Sequence, residues 1–267
     1  MANIEVPVSL RPTVYGTYAS LFGVKVDEAE KPLIEYPSLA AFFCRRLKKD
    51  ARKIDDAAPL VSPVDGKVIY YGPVTGDSLE QVKGINYSLT HFLGDNEIKQ
   101  IENKNLYHVG IYLSPGDYHG IHSPCQWTIK ERNHFPGYLF PVAKVAVDNI
   151  PGLFALNERV VLAGQWRHGF FSLTPVGASN VGTIEMDFDK GLKTNNQNDK
   201  YGSPENYYFK SYSPQISQQK GEELAFFKMG STVILIFEVP KDQKFEFDLK
   251  PGQSVILGQS IGKLEKK

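Results

Sequence analysis

Cysteine is scarce: 267 residues hold only Cys44 and Cys125. Two distant thiols without a second pair exclude a disulfide framework and a cysteine-rich metal knuckle, so both read as buried or idle. An excess of charge is also missing. Lys plus Arg and Asp plus Glu each number 30, so no whole-molecule field draws in nucleic acid, and any electrostatic partner must be local. No apolar run approaches the roughly 20 residues that span a bilayer, and the first residues lack the charged and apolar blocks of a signal peptide. The chain as written reads as soluble or peripheral.

What is present is enough apolar material, 42% of residues, for one main domain with a sizeable core. Val14, Tyr15, Tyr18, Leu21 and Phe22 recur at helical spacing and predict an amphipathic helix. After Pro37, an N-cap at Ser38 followed by Leu39, Phe42, Phe43 and Leu47 predicts a second, beside the cations Arg45, Arg46, Lys48, Lys49, Arg52 and Lys53. Two readings compete for this segment: helices lying on an anionic membrane surface, or helices packed on a sheet with a solvated basic face.

From Pro59 the texture turns to short β-like runs broken by Gly, Pro, Asn and Asp, at 66–71, 106–113, 158–163, 169–176, 181–188, 232–239, 244–249 and 253–264. The predicted fold is therefore mainly β, a sandwich or partly closed barrel, with N-terminal amphipathic helices and an α+β class overall. The expected organisation is a helical, membrane-apposed segment over 1–55 and a β-rich catalytic domain over 56–267. The polar, turn-rich stretch 190–219 reads as a surface loop, either a lid or an insertion.

Three segments carry residues capable of chemistry. Ser114-Pro115-Gly116-Asp117-Tyr118-His119-Gly120-Ile121-His122-Ser123-Pro124 holds two of the six histidines. No carboxylate or cysteine set at recognisable spacing accompanies them, so no metal is assigned; proton transfer and ordinary hydrogen bonding both remain open. Met229-Gly230-Ser231-Thr232 opens a strongly apolar strand, and its serine needs a base before it can act as a nucleophile. Ser62-Pro63-Val64-Asp65-Gly66 reads by itself as a tight turn.

Together, in this order, the three segments resemble the phosphatidylserine decarboxylase family, with its aspartate after Ser-Pro, its Tyr-His-x-x-His-x-Pro loop and its Gly-Ser-Thr site. Glu80-Gln81-Val82-Lys83-Gly84, Tyr87-Ser88-Leu89, Asn157-Glu158-Arg159-Val160-Val161-Leu162, Val176-Gly177-Ala178 and Asn180-Val181-Gly182 extend the likeness, closest to the mitochondrial branch. One departure is Met229, where the family commonly has leucine; the two are similar in volume, so cleavage should survive the change.

The resemblance implies a self-processing triad of Asp65, His122 and Ser231. His122 would act as base, and Asp65 would orient its imidazole. Ser231 would attack the Gly230 carbonyl, and β-elimination followed by hydrolysis would leave a large chain, 1–230, and a small chain, 231–267, capped by a covalent pyruvoyl group derived from Ser231. That group would form a Schiff base with the substrate amine. His119 would serve decarboxylation or proton transfer, with exchanged roles for His119 and His122 left open.

Implied partners are phosphatidylserine, a membrane surface, the two chains of one precursor and a second copy in a homodimer. The implied location is the intermembrane-space side of the mitochondrial inner membrane. Mitochondrial members carry a targeting segment and a spanning helix ahead of this region, and neither is in this sequence. The competing readings are a conventional serine hydrolase, since Asp, His, Ser is one known triad order, and a β-sandwich binding module with structural histidines.

Overall fold

The computed structural model describes residues 4–82, 85–94, 101, 103–142, 144–179, 183–196, 207–228 and 231–267. The family-like positions Lys83, Gly84, Asn180, Val181 and Gly182, together with Met229 and Gly230, lie outside these residues.

Two helices matter for the site. Helix α1 spans Arg11–Phe22, buries Tyr15 and Ala19, and ends on Gly23 at φ 72°, a left-handed conformation that favours glycine. Helix α2 spans Leu39–Phe43, with the Ser38 hydroxyl accepting from the Ala41 amide as the cap residue suggests. It stops four residues short of the predicted Leu47, which instead bridges to Ala29, while Arg45 turns inward.

In chain order the strands are β1 (Leu60–Val61), β2 (Gly66–Pro73), β3 (Ser78–Val82), β4 (Ile85–Ser88), β5 (Leu106–Leu113) and β6 (Gly120–His122). Next come β7 (Trp127–Phe135), β8 (Arg159–Trp166), β9 (Gly169–Gly177), β10 (Thr183–Glu185) and β11 (Tyr208–Gln218). The last are β12 (Glu223–Lys228), β13 (Ser231–Glu238), β14 (Gln243–Phe247), β15 (Ser254–Val255) and β16 (Ser260–Lys266).

An eight-stranded antiparallel sheet runs β11-β7-β8-β9-β13-β5-β2-β15. One face shares a core with the small sheet β10-β12-β6 through Val109, Ile111, Leu113, Ile121, Phe227, Val233 and Leu235. The other face packs Ile234 and Ile236 against Phe92, Val147 and Phe154 of short helices. The mainly β expectation therefore holds, as an unclosed, sandwich-like α+β arrangement. Strand β13 explains itself: residues 233–237 are each fully buried, and a strand covered on both faces needs a continuous apolar run. Each such side chain contributes about 1.5–3 kcal/mol.

The stretch predicted as a loop, 190–219, contains β11 as an edge strand. Its pairing with β7 breaks between Ser211 and Ile216, where Pro214 sits; a proline is tolerated at a sheet edge because no ladder donor is needed there. Residues 197–206 of that stretch lie outside the described residues. Cys44 and Cys125 are both free thiols, half-buried and buried.

Candidate active site

The loop joining β5 to β6 carries both histidines, and the N-terminal segment holds it in place. Tyr18 Oη donates to the Pro115 carbonyl at 2.8 Å, and Arg45 Nη2 donates to the carbonyls of Gly116 and Asp117 at 2.7 and 3.2 Å. Arg45 is only 3% exposed, and burial lowers its pKa. A β-carbon on Gly116 would collide with the Phe22 carbonyl, so glycine lets α1 approach the loop. Within the loop, Asp117 Oδ2 accepts from the Ser114 amide at 2.7 Å.

His119 is fully buried, with its ring centroid 4.1 Å from that of Phe43. Its Nδ1 lies 2.9 Å from the Asp117 carbonyl, which can only accept, so Nδ1 carries the proton and Nε2 keeps its lone pair. Nε2 is buried and has no partner among the described residues. Burial pushes the His119 pKa down to about 3, which keeps the ring neutral.

His122 has a different setting. Nδ1 donates to the Gly221 carbonyl at 2.9 Å, which leaves Nε2 to accept from Tyr118 Oη at 3.1 Å. Burial lowers its pKa too, with the Gly221 carbonyl and the charge of Asp65 acting in the opposite sense. Burial also pushes the Tyr118 phenol up to about 12, so it stays a donor.

Asp65 sits buried at the bend of residues 63–65 that leads into β2, and its carboxylate is fully engaged. Its Oδ1 accepts from Arg52 Nε at 2.9 Å and from the Leu257 amide at 2.8 Å, and its Oδ2 accepts from Arg52 Nη2 at 2.5 Å. The same Nη2 reaches Glu28 Oε2 at 2.7 Å. No hydrogen bond joins Asp65 to His122; the Gly221 carbonyl occupies the position an orienting carboxylate would take. The two residues are neighbours through Arg52, which binds Asp65 and lines, with Tyr118, His122, Gly221 and Leu257, a pocket of about 210 Å³.

The backbone of Ser231 heads β13, paired with Leu113 on one side and Gly177 on the other. Its side chain and Gly230 fall outside what is described. The strand before it fixes the approach of the histidines. The Phe227 amide donates to the His119 carbonyl at 3.1 Å, whereas His122 lies opposite Glu223. His119 thus lies opposite the end of β12 that leads towards residue 231, and His122, three residues further along the chain, lies about 10 Å further back at 3.3 Å per residue. A pocket of about 550 Å³ opens instead at the far end of β7 and β8, beside Trp127, Gln165 and Lys220, and contains none of these groups.

Comparison with known proteins gives the chain its place. The phosphatidylserine decarboxylase family model matches residues 39–263. This chain belongs to the phosphatidylserine decarboxylase family. It is 44% identical to the rat mitochondrial phosphatidylserine decarboxylase proenzyme, covering 98% of this chain and 70% of that protein. It is 43% identical to the Caenorhabditis elegans mitochondrial proenzyme, covering 98% and 68%. Against the Saccharomyces cerevisiae mitochondrial proenzyme 1 it is 34% identical, covering 97% and 69%.

Within this decarboxylase-family site, sequence reasoning missed the parts played by Arg45 and Arg52. Both were read as members of one basic cluster, yet they are buried, while Arg46, Lys48, Lys49 and Lys53 are exposed. Arg45 stands two residues after Phe43, at the point where the apolar stripe gives way to charge, and that was the available signal. Gly221 was likewise invisible, because its contribution is a carbonyl.

Proposed function

We propose that this chain is the self-processing proenzyme of a pyruvoyl-dependent carboxy-lyase that converts phosphatidylserine to phosphatidylethanolamine and carbon dioxide. In this reading the link between Gly230 and Ser231 is cut and Ser231 becomes the pyruvoyl group. The observation that carries it is the neutral, partnerless Nε2 of buried His119, on a loop zipped to the strand that leads into that link. A mature pair of chains would stay together. Residues 231–267 would be held by the ladders of β13 to β5 and β9, of β15 to β2 and of β16 to β1.

The pyruvoyl ketone supplies an electron sink for the loss of carbon dioxide. The protein's own residues handle protons. His122, a lone-pair acceptor at Nε2, is assigned the removal of the Ser231 proton, with the Asp65 charge favouring the imidazolium that results. His119 is assigned the proton step at the substrate. A second reading exchanges the two, and two observations favour it: His119 is nearer the link by register, and its Nε2 is unoccupied whereas that of His122 already accepts from Tyr118.

The substrate is a lipid, and the N-terminal segment exposes Val14, Leu21 and Phe22 together with Lys48, Lys49 and Lys53. That combination supports contact with an anionic membrane surface. No described helix is long and apolar enough to cross a membrane. The mitochondrial names of the relatives support a mitochondrial location, and the intermembrane-space side of the inner membrane is proposed within it.

Intact mass under denaturing conditions tests the central reading. Two fragments split after Gly230 are expected, the smaller carrying pyruvoyl in place of serine. His122→Ala should block the split and His119→Ala should spare it while abolishing decarboxylation; the reverse pattern would establish the exchanged roles. A parent chain that stays whole, with no carbonyl reactivity, would sink the reading and return the hydrolase and binding-module alternatives.

A further inference from the structure

The backbone row through Ser231 leads to a buried carboxylate that the scheme above leaves idle. Ser231 pairs with Gly177, and the Gly177 amide donates to the Glu158 carbonyl at 2.7 Å. Glu158 therefore lies two strands from Ser231, about 10 Å across the sheet. Its side chain is fully buried. Oε1 accepts from His134 Nε2 at 2.9 Å and from the Asn195 amide at 2.6 Å. Oε2 is buried with no partner among the described residues.

Gly177 stands between this carboxylate and β13 and puts no side chain between them. A β-carbon there would stand 3.3 Å from Leu139 Cδ2, 3.4 Å from the Glu158 carbonyl and 3.7 Å from Glu158 Cβ, so a methyl group would crowd Leu139 and the base of Glu158. A buried carboxylate oxygen without a donor is costly in the free protein, and a cationic group with N–H donors is what would relieve it. His134 is already committed to the other oxygen, on the side away from β13.

We propose that Glu158 is the receptor for the substrate's ammonium group and takes one proton from it. This rests on the decarboxylase reading. One N–H bond of the ammonium breaks and an O–H bond forms on Oε2. The products are a neutral amine with a free lone pair and a neutral carboxylic acid, and no further reactant is required. An amine must lose this proton before it can act as a nucleophile. His134 is a positioning residue that holds Oε1 and turns the carboxyl group.

The test uses the full chain and first confirms by intact mass that the small chain carries a ketone. Two captures are then timed: borohydride trapping of phosphatidylserine from mixed phosphatidylserine–phosphatidylcholine vesicles, and oxime formation with hydroxylamine, which is neutral at pH 7. In Glu158→Gln, lipid trapping should fall at least tenfold while oxime formation matches the parent. The lost trapping should return by about tenfold per pH unit as the amine's own pKa is approached. Equal loss of both captures, or loss of neither, overturns the proposal. Should Glu158→Gln fail to process, Gly177→Ala is expected to slow lipid trapping alone, and an equal effect on both captures overturns it. A parent without a ketone fails the decarboxylase reading itself, a distinct result that removes this proposal as well.

Discussion

Strand β13 and the loop Ser114–Ser123 adjoin, since Ser231 pairs with Leu113, but are held by different means. The strand is fixed by unbroken backbone ladders on both sides and by side chains buried in two cores. The loop is fixed by side chains from elsewhere in the chain: Tyr18 and Arg45 hold its backbone, Phe43 covers His119, and the Gly221 carbonyl sets His122. A residue on such a strand is placed by local sequence, whereas a side chain on such a loop is placed by whatever reaches it. The difference predicts that damage to the loop's supports changes proton chemistry while leaving the strand folded.

The largest effect belongs to the strand. Ser231→Ala should leave the chain whole and inactive, with unfolding by urea close to the parent's; a split chain by intact mass would break the proposed scheme. Next comes the support of Asp65. Arg52→Ala leaves a buried carboxylate with one remaining donor, the Leu257 amide, and should cost about 3 kcal/mol in urea unfolding as well as slowing the split. A loss below about 0.5 kcal/mol would show the pair to be solvated.

A smaller effect follows from the loop histidine. The His119 pKa is about 3 when folded against an ordinary value of 6.5, so the unfolded chain binds the extra proton between these values. The stability this gives is fully present above pH 6.5 and is lost as pH falls towards 3, at up to about 1.4 kcal/mol per pH unit. His119→Phe should flatten that slope between pH 6 and 4 in urea titrations, leaving the part due to His108, whose pKa burial lowers to about 4, and to His122 and His168, which burial also lowers. An unchanged slope would place the acid sensitivity elsewhere. The smallest effect is that of Tyr118→Phe. It removes one neutral hydrogen bond to His122 and should cost about 1 kcal/mol while cleavage persists. Loss of cleavage would make that hydroxyl part of the proton path.

Much of the frame was legible in the residues. The apolar run at Thr232–Val239, the strand Leu106–Leu113, the helix over Val14–Phe22 and the Ser38 cap all appear where pattern places them. The edge strand Tyr208–Gln218 was not legible, because it buries only Tyr212 and Gln218 and so shows little alternation, and Pro214 reads as a breaker. Arg45 and Arg52 were misread for a related reason: a guanidinium is solvated or buried according to the acceptor it meets, and those acceptors lie 71 and 13 residues away. The exposed apolar side chains of α1 were half-read. Spacing identified the helix, but it did not say that Tyr15 would face inward and Leu21 outward.

What the sequence determined by itself is the set of reactive residue types, their order, and the buried strand that presents Ser231, since each follows from neighbours within a few positions. Only the tertiary structure decided that His119 keeps a bare Nε2 while His122 is capped by Tyr118, that Arg52 and not a histidine holds Asp65, and that Glu158 lies in the row through Gly177 and Ser231. The reason is physical. Protonation, hydrogen-bond partner and burial are properties of the groups surrounding an atom, and in this fold those groups come from segments far apart in the chain.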